Sequence, residues 1–253
     1  MAAEYSYHIS IDDFDKSVLP PHAQTPGTDE FKTEVSRALE REYAEFGGWV
    51  QIVVNEQTIQ VTWKSDPTRP SPLDLVDRKK NAGDLVGAVR TLEHLRRQEP
   101  NNIGVLCNLG MALSDLGQLA QAQEHLRHVL ALEPNQITAQ VALGVVLLRQ
   151  GDLAEAIREL RRAVSIAPSH PWAQQNLAGM LFLAGDFAEA ELHYRKAVEL
   201  RPADQQFKLD FAKCLLRLGK TAEADAVFAQ VIEIDANSSV AEAAREERTR
   251  LAQ

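Results

Sequence analysis

Residues 148–171 read LRQGDLAEAIRELRRAVSIAPSHP, and nearly the same skeleton recurs at 113–136 as LSDLGQLAQAQEHLRHVLALEPNQ and at 181–204 as LFLAGDFAEAELHYRKAVELRPAD. Aligned on the glycine, each copy places an alanine five residues later and a proline twelve residues after that, and the glycines fall 34 residues apart. Extending the register gives Gly83, Gly117, Gly151, Gly185 and Gly219, then Ala88, Ala122, Ala156, Ala190 and Ala224, then Pro100, Pro134, Pro168 and Pro202. A fixed period of this length marks a stacked repeat, in which no unit buries its apolar face alone.

Each unit reads as helix, tight turn, helix. The glycine stands where the first helix must stop, because a left-handed residue after a helix costs least without a Cβ. Asp152 with Glu155, and Asp186 with Glu189, have the spacing that caps the helix restarting after the turn. The recurring alanine lets two antiparallel helices approach closely. Proline blocks continuation of the second helix, and Asn102, Asn135, Ser169 and Asp204 stand where they can cap the next one. Leu153, Ile157, Leu160 and Val164 supply an apolar stripe at helical spacing.

The first 66 residues follow another period. Tyr5, Tyr7, Ile9 and Ile11 alternate with polar residues, as in a half-buried strand. Phe31, Val35, Leu39 and Phe46 form one helical stripe, with acids in the first turn and Gly47–Gly48 at the stop. WVQIVVNEQTIQVTWK at 49–64 reads as a hairpin around Asn55–Gln57. The order strand, helix, strand, strand predicts a small βαββ module at 1–66, too small to be robust alone and therefore packed against something. Eight of the fifteen aromatic residues fall here, Trp49 and Trp63 at the ends of the hairpin, which suits either a compact core or a docking surface. A Pro-rich connection, SDPTRPSP at 65–72, separates the module from a repeat domain at 67–253.

The repeat resembles the tetratricopeptide repeat (TPR). Leu109–Gly110 and Leu143–Gly144 match that family's Leu-Gly pair, Leu126, Leu160, Tyr194 and Phe228 its large residue after the alanine, and Ala163 and Ala197 its later alanine. The likeness covers 69–238. The first unit departs with Leu75–Val76, and the fifth ends in Ala236 where proline is expected; end units differ because one side has no neighbour. SVAEAAREERTRLAQ at 239–253, with Val240, Ala244 and Leu251 as an apolar edge, fits a capping helix. The resemblance implies a mainly α, right-handed solenoid of about five repeats whose first helices line a concave groove.

The family's inward positions fall here on Cys107, Asn108, Met111, Val141, Val145, Leu148, Trp172, Gln175, Asn176, Gly179, Phe182 and Leu209, a largely apolar lining. Few inward cations accompany Asn108, so the Lys/Asn/Arg clamp that some relatives close on a terminal carboxylate is not expected. Asn108 and Asn176 occupy the sixth position, where relatives grip an extended backbone with amides, and Ala142 interrupts the ladder. The same two asparagines could instead link adjacent helices.

The totals exclude other chemistry. Net charge is −9, and residues 1–66 carry 12 acidic against 5 basic side chains, so no basic surplus invites nucleic acid. No apolar run is long enough to span a bilayer and no signal segment opens the chain, which predicts a cytoplasmic protein. Cys107 and Cys214 stand apart and read as reduced thiols. His125 and His128, and the acidic turn of Asp12, Asp13 and Asp15, read as solvated surface rather than metal sites. With no phosphate loop, nucleophile elbow or His–carboxylate motif, the chain reads as a noncatalytic scaffold or adaptor without metal or cofactor. Its expected partner is a protein or peptide segment, apolar in character, held in the groove. The alternative is self-assembly or autoregulation, in which residues 1–66 pair with themselves, giving a homo-oligomer, or fill their own groove.

Overall fold

The computed structural model describes residues 4–44, 49–64 and 72–251. Phe46, the Gly47–Gly48 stop and the expected boundary between 66 and 67 lie outside these. Among the described residues are three strands and twelve α-helices: β1 (Glu4–Ser10), α1 (Asp29–Ala44), β2 (Trp49–Val54), β3 (Thr58–Lys64), α2 (Pro72–Asn81), α3 (Leu85–Gln98), α4 (Ile103–Asp115), α5 (Leu119–Leu132), α6 (Ile137–Arg149), α7 (Leu153–Ile166), α8 (Pro171–Ala184), α9 (Phe187–Leu200), α10 (Gln205–Arg217), α11 (Thr221–Ile234) and α12 (Ser239–Leu251). Residue contacts divide the chain into two compact units, 1–116 and 117–253.

In the first unit the strand order is β1-β3-β2, with β3 antiparallel to both neighbours. The register sets Tyr7 opposite Val61 and Ile9 opposite Ile59, so one face of β1 and β3 collects Tyr7, Ile9, Ile59, Val61 and Trp63. Phe31, Val35, Leu39 and Tyr43 of α1 meet that face, and Leu75 of α2 packs against the same core. Trp63 is buried, whereas Trp49 at the edge strand is 53% exposed.

Helix α3 brings polar groups to this core. His94 is fully buried, its ring 4.2 Å from the Tyr43 ring and edge-on to Tyr7 and Trp63. Its Nδ1 lies 3.5 Å from Glu42 Oε1 and its Nε2 2.9 Å from Gln98 Nε2. Arg97 donates to Glu42 at 2.6 Å, and the Tyr7 and Tyr43 hydroxyls bond each other at 2.6 Å. The expectation that the small module packs against something is met by α3. Asp15, of the acidic turn, accepts from the backbone and hydroxyl of Ser17.

In the repeats the glycine register does what the spacing predicts. Gly83, Gly117, Gly151, Gly185 and Gly219 all have φ between 74° and 90°, and a Cβ on any of them would meet nothing within 4 Å. Backbone conformation alone therefore selects glycine at these turns. The alanine register is fully buried throughout, as are Leu126, Leu160 and Phe228. Gly144 serves another purpose: a Cβ there would stand 2.7 Å from Leu160 Cγ, so the α6–α7 crossing itself requires glycine.

The caps match only in part. Asp152 accepts from Glu155 N at 2.9 Å, Asn102 from Val105 N and Asp204 from Phe207 N. Asp186 makes no side-chain cap bond. Gln136 and His170, each one residue beyond the expected Asn135 and Ser169, cap α6 and α8. An amide or imidazole at the residue adjoining the helix reaches the free N–H groups as well as the shorter side chain before it.

Ion pairs tie successive second helices of the second unit together. Arg127 of α5 reaches Glu155 of α7 at 3.0 Å, and Arg161 of α7 reaches Glu189 of α9 at 2.8 Å. Helix α12 closes the array, burying Ala241 and Ala244 and pairing Arg248 with Asp225 of α11.

Candidate functional site

The first helices α6, α8 and α10 of the second unit lie side by side, α8 touching both others. Their exposed faces, with Tyr194 of α9 behind them, bound a concavity of about 420 Å³. From α6 comes Leu148. From α8 come Trp172, Gln175, Asn176, Gly179, Met180, Phe182 and Leu183, and from α10 Gln206, Phe207, Asp210 and Lys213. These positions recur at helical spacing, which is why one face of each helix supplies them.

The wall is aromatic and its rim is cationic. Trp172, 46% exposed, meets Phe207 edge-on at 4.8 Å, and the Arg201 guanidinium stands 5.3 Å from the Trp172 ring centre. Phe182 meets Phe187 at 5.2 Å, and Arg217 stands 4.4 Å from the Phe187 centre and 5.7 Å from that of Phe182. Contacts of this kind hold the rings in place while leaving part of their surface open.

Polar groups lie lower. Gln175 Nε2 donates to Asp210 Oδ2 at 2.7 Å, and Gln206 Nε2 to Asp210 Oδ1 at 2.9 Å. Burial pushes the Asp210 carboxyl above its ordinary range, against the hydrogen bonds of Gln206 and Gln175 and the charge of Lys213. Burial also raises the Tyr194 phenol, with the Asp210 charge adding to it.

Of the residues expected in the lining, Leu148, Trp172, Gln175, Asn176, Gly179 and Phe182 converge here. Val141 and Val145 are half-buried farther along α6. Leu209 is 4% exposed and belongs to the core, because its side of α10 packs inward. Asn108 and Met111 lie on α4 of the first unit, both half-buried, beside the buried Cys107. Asn176 Nδ2 donates to the Trp172 carbonyl one turn back in α8, at 2.7 Å, and among the described residues its side chain shows no hydrogen bond to another helix.

Sequence reasoning missed Gln206, Asp210 and Lys213, the polar side of the concavity. Their spacing along α10, four residues and then three, was the available signal. Cys107 and Cys214 are buried, and burial raises the Cys214 thiol to about 11, so it is protonated and unreactive at neutral pH. Among the described residues no group of three His, Cys, Asp or Glu side chains could share a metal ion, and no helix is long and apolar enough to cross a membrane.

Models of the tetratricopeptide repeat match residues 102–169 and 135–203, and a second such model matches 181–247. Solved structures share the architecture. MamA from Desulfovibrio magneticus RS-1, from its residue 41 onward, is 25% identical, with a TM-score of 0.55 over 66% of this chain and 95% of that one. TTC0263, a thermophilic TPR protein of Thermus thermophilus, is 22% identical, with a TM-score of 0.60 over 72% and 95%. YrrB, described as a TPR protein with an unusual peptide-binding site, is 15% identical, with a TM-score of 0.51 over 69% and 90%. No curated protein sequence matches the chain. With the repeat models spanning more than half of its length and the helix pairs recurring as their pattern requires, the chain belongs to the tetratricopeptide-repeat family.

Proposed function

We propose that this protein is a noncatalytic scaffold that holds a segment of a partner protein in the concavity formed by α6, α8 and α10. TPR proteins are in general protein-interaction scaffolds, and YrrB, which shares the fold, is described as having a peptide-binding site. The observation that carries the reading is the concavity itself: Leu148, Trp172 and Phe182 gather around about 420 Å³, with Trp172 46% exposed. Aromatic side chains so displayed are the usual anchors of an interface. Asn176 serves the reading through Oδ1, its Nδ2 being committed to its own helix.

Affinity capture with the full chain, in parallel with Trp172→Ala and Phe182→Ala, tests this. A partner retained by the wild type should be bound about thirtyfold more weakly by either variant, a loss of about 2 kcal/mol, with little change in the melting curve. Undiminished capture by both variants overturns the groove reading.

The edge strand β2 favours a second reading, self-association through the N-terminal module. Trp49 and Val53 are both exposed there, and an unpaired strand edge is a template for pairing with another copy. Light scattering on the full chain and on Trp49→Lys separates the two: a dimer abolished by the substitution supports self-association, and a monomer in both excludes it.

A further inference from the structure

The floor of the concavity says more about its occupant than the apolar wall does. Asp210 is held by two neutral amides, Gln175 and Gln206, and has no ion-pair partner among the described residues. Lys213, one turn along α10, lies too far to form one, and burial keeps the carboxyl above its ordinary range despite that charge. Arg201 and Arg217 stand on the aromatic rings. A half-buried carboxylate without a cation is costly.

A second unmet group lies beside it. The NH2 of Gln175 must face Asp210, because an ionised carboxylate only accepts. Gln175 Oε1 is thereby turned away, and it is buried with no hydrogen-bond partner. The Tyr194 hydroxyl also lines the concavity and makes no hydrogen bond among the described residues. A carboxylate without a countercharge and one unmet amide oxygen, beside a phenol, call for one kind of visitor, a cation rich in donors. A guanidinium offers its N–H groups in one plane and can serve carboxylate and amide together, and an ammonium can satisfy the carboxylate as a point charge. The wall around this floor is apolar, so the rest of the visitor must be apolar as well.

Resting on the groove reading above, we propose that the segment held in the concavity carries an arginine or lysine between apolar residues. The cation pairs with Asp210 and meets the Gln175 amide, while the neighbouring residues cover Leu148, Trp172 and Phe182.

The test is an array of short Leu-rich peptides with one central position occupied by Arg, Lys, Met or Glu, probed with the full chain. Arg and Lys peptides should be held at least about tenfold more tightly than the Met peptide, and the Glu peptide least, as expected for a charge pair formed out of water. Asp210→Asn should erase the preference, bringing the Arg, Lys and Met peptides to within about twofold of one another. Trp172→Ala should weaken the whole series. Equal binding of Arg and Met peptides, or a preference that survives in Asp210→Asn, overturns the basic occupant while the groove stands if Trp172→Ala still weakens binding. A series unaffected by Trp172→Ala, or no retention of any peptide, overturns both. The peptide series on the wild-type chain decides the charge question even where Asp210→Asn fails to fold.

Discussion

The second unit closes its core with alanines repeated in one register, whereas the N-terminal module in the first closes its own with Tyr7, Tyr43, Trp63 and His94, which recur at no fixed period. In the repeats the contacts are local: Ala156 and Leu160 answer to helices within one or two units of the chain, and the arrangement recurs at Ala190 and Tyr194. In the module, Tyr7 meets Tyr43 from 36 residues away and Arg97 meets Glu42 from 55. The first design confines a loss at any one copy to that repeat and its nearest neighbours, because each contact reaches no farther. The second concentrates many long-range contacts on a few side chains, the kind of topology that forms slowly and cooperatively.

Trp63→Ala should have the largest effect. A fully enclosed indole at the centre of the sheet face leaves a large void, and a loss of about 3–5 kcal/mol is expected. Urea unfolding of the full chain checks it, and a loss below about 1 kcal/mol would show that the module repacks as readily as a repeat does.

Two glycines sharpen the repeat side. Gly144→Ala forces a methyl group to 2.7 Å from Leu160 Cγ and should cost about 1–3 kcal/mol, a cost that disappears when it is measured in a Leu160→Ala background. Gly185→Ala has open space but a φ of 88°, so about 1–2 kcal/mol is expected with no rescue from any neighbour. Rescue of Gly185→Ala by a packing change would overturn the assignment of that glycine to backbone conformation alone.

The smallest expected effect is a pH slope in the first unit. Burial holds the His94 imidazole below its ordinary pKa, outweighing the hydrogen bond and charge of Glu42, and Arg97 pushes in the same direction as burial. The unfolded chain therefore takes up more protons, and stability should be complete above the unfolded histidine value of about 6.5 and fall as pH drops below it. Burial would raise the Glu42 carboxyl, but the His94 hydrogen bond and the Arg97 charge hold it low, which extends the loss to more acid pH. Melting temperatures taken at descending pH should fall for the wild type and less steeply for His94→Gln. A flat profile would show that the seam of Tyr7, Tyr43, Trp63, Glu42, Arg97 and Gln98 accepts the proton without cost.

What was legible in the sequence follows the same division. Gly83 to Gly219 and Ala88 to Ala224 disclosed the repeats because each position states its requirement five times. The order of strands and helix at the N-terminus was also open to reading from alternation, and Tyr7, Ile9, Phe31, Val35 and Leu39 all lie in the core. His94 and Arg97 were not legible as partners of Glu42 and Tyr43, since nothing local marks a contact across 50 residues of chain. In the concavity the inward apolar residues Leu148, Trp172 and Phe182 were found. Asp210 and Gln206 were not, because a polar residue on a helix face gives the same pattern in solvent and at the bottom of a pocket. Gln136 and His170 displaced the expected caps for a related reason: several side-chain types accept from a free N–H equally well.

The bridges from Arg127 to Glu155 and from Arg161 to Glu189 give the second unit a mechanical asymmetry. They join second helices, on the side away from the concavity formed by α6, α8 and α10. Bending that narrows the concavity spreads the second helices and stretches these braces, whereas bending that widens it slackens them. Each brace therefore opposes closing by about 0–1 kcal/mol, and because exposed pairs of this kind weaken as ions screen them, that resistance falls as ionic strength rises.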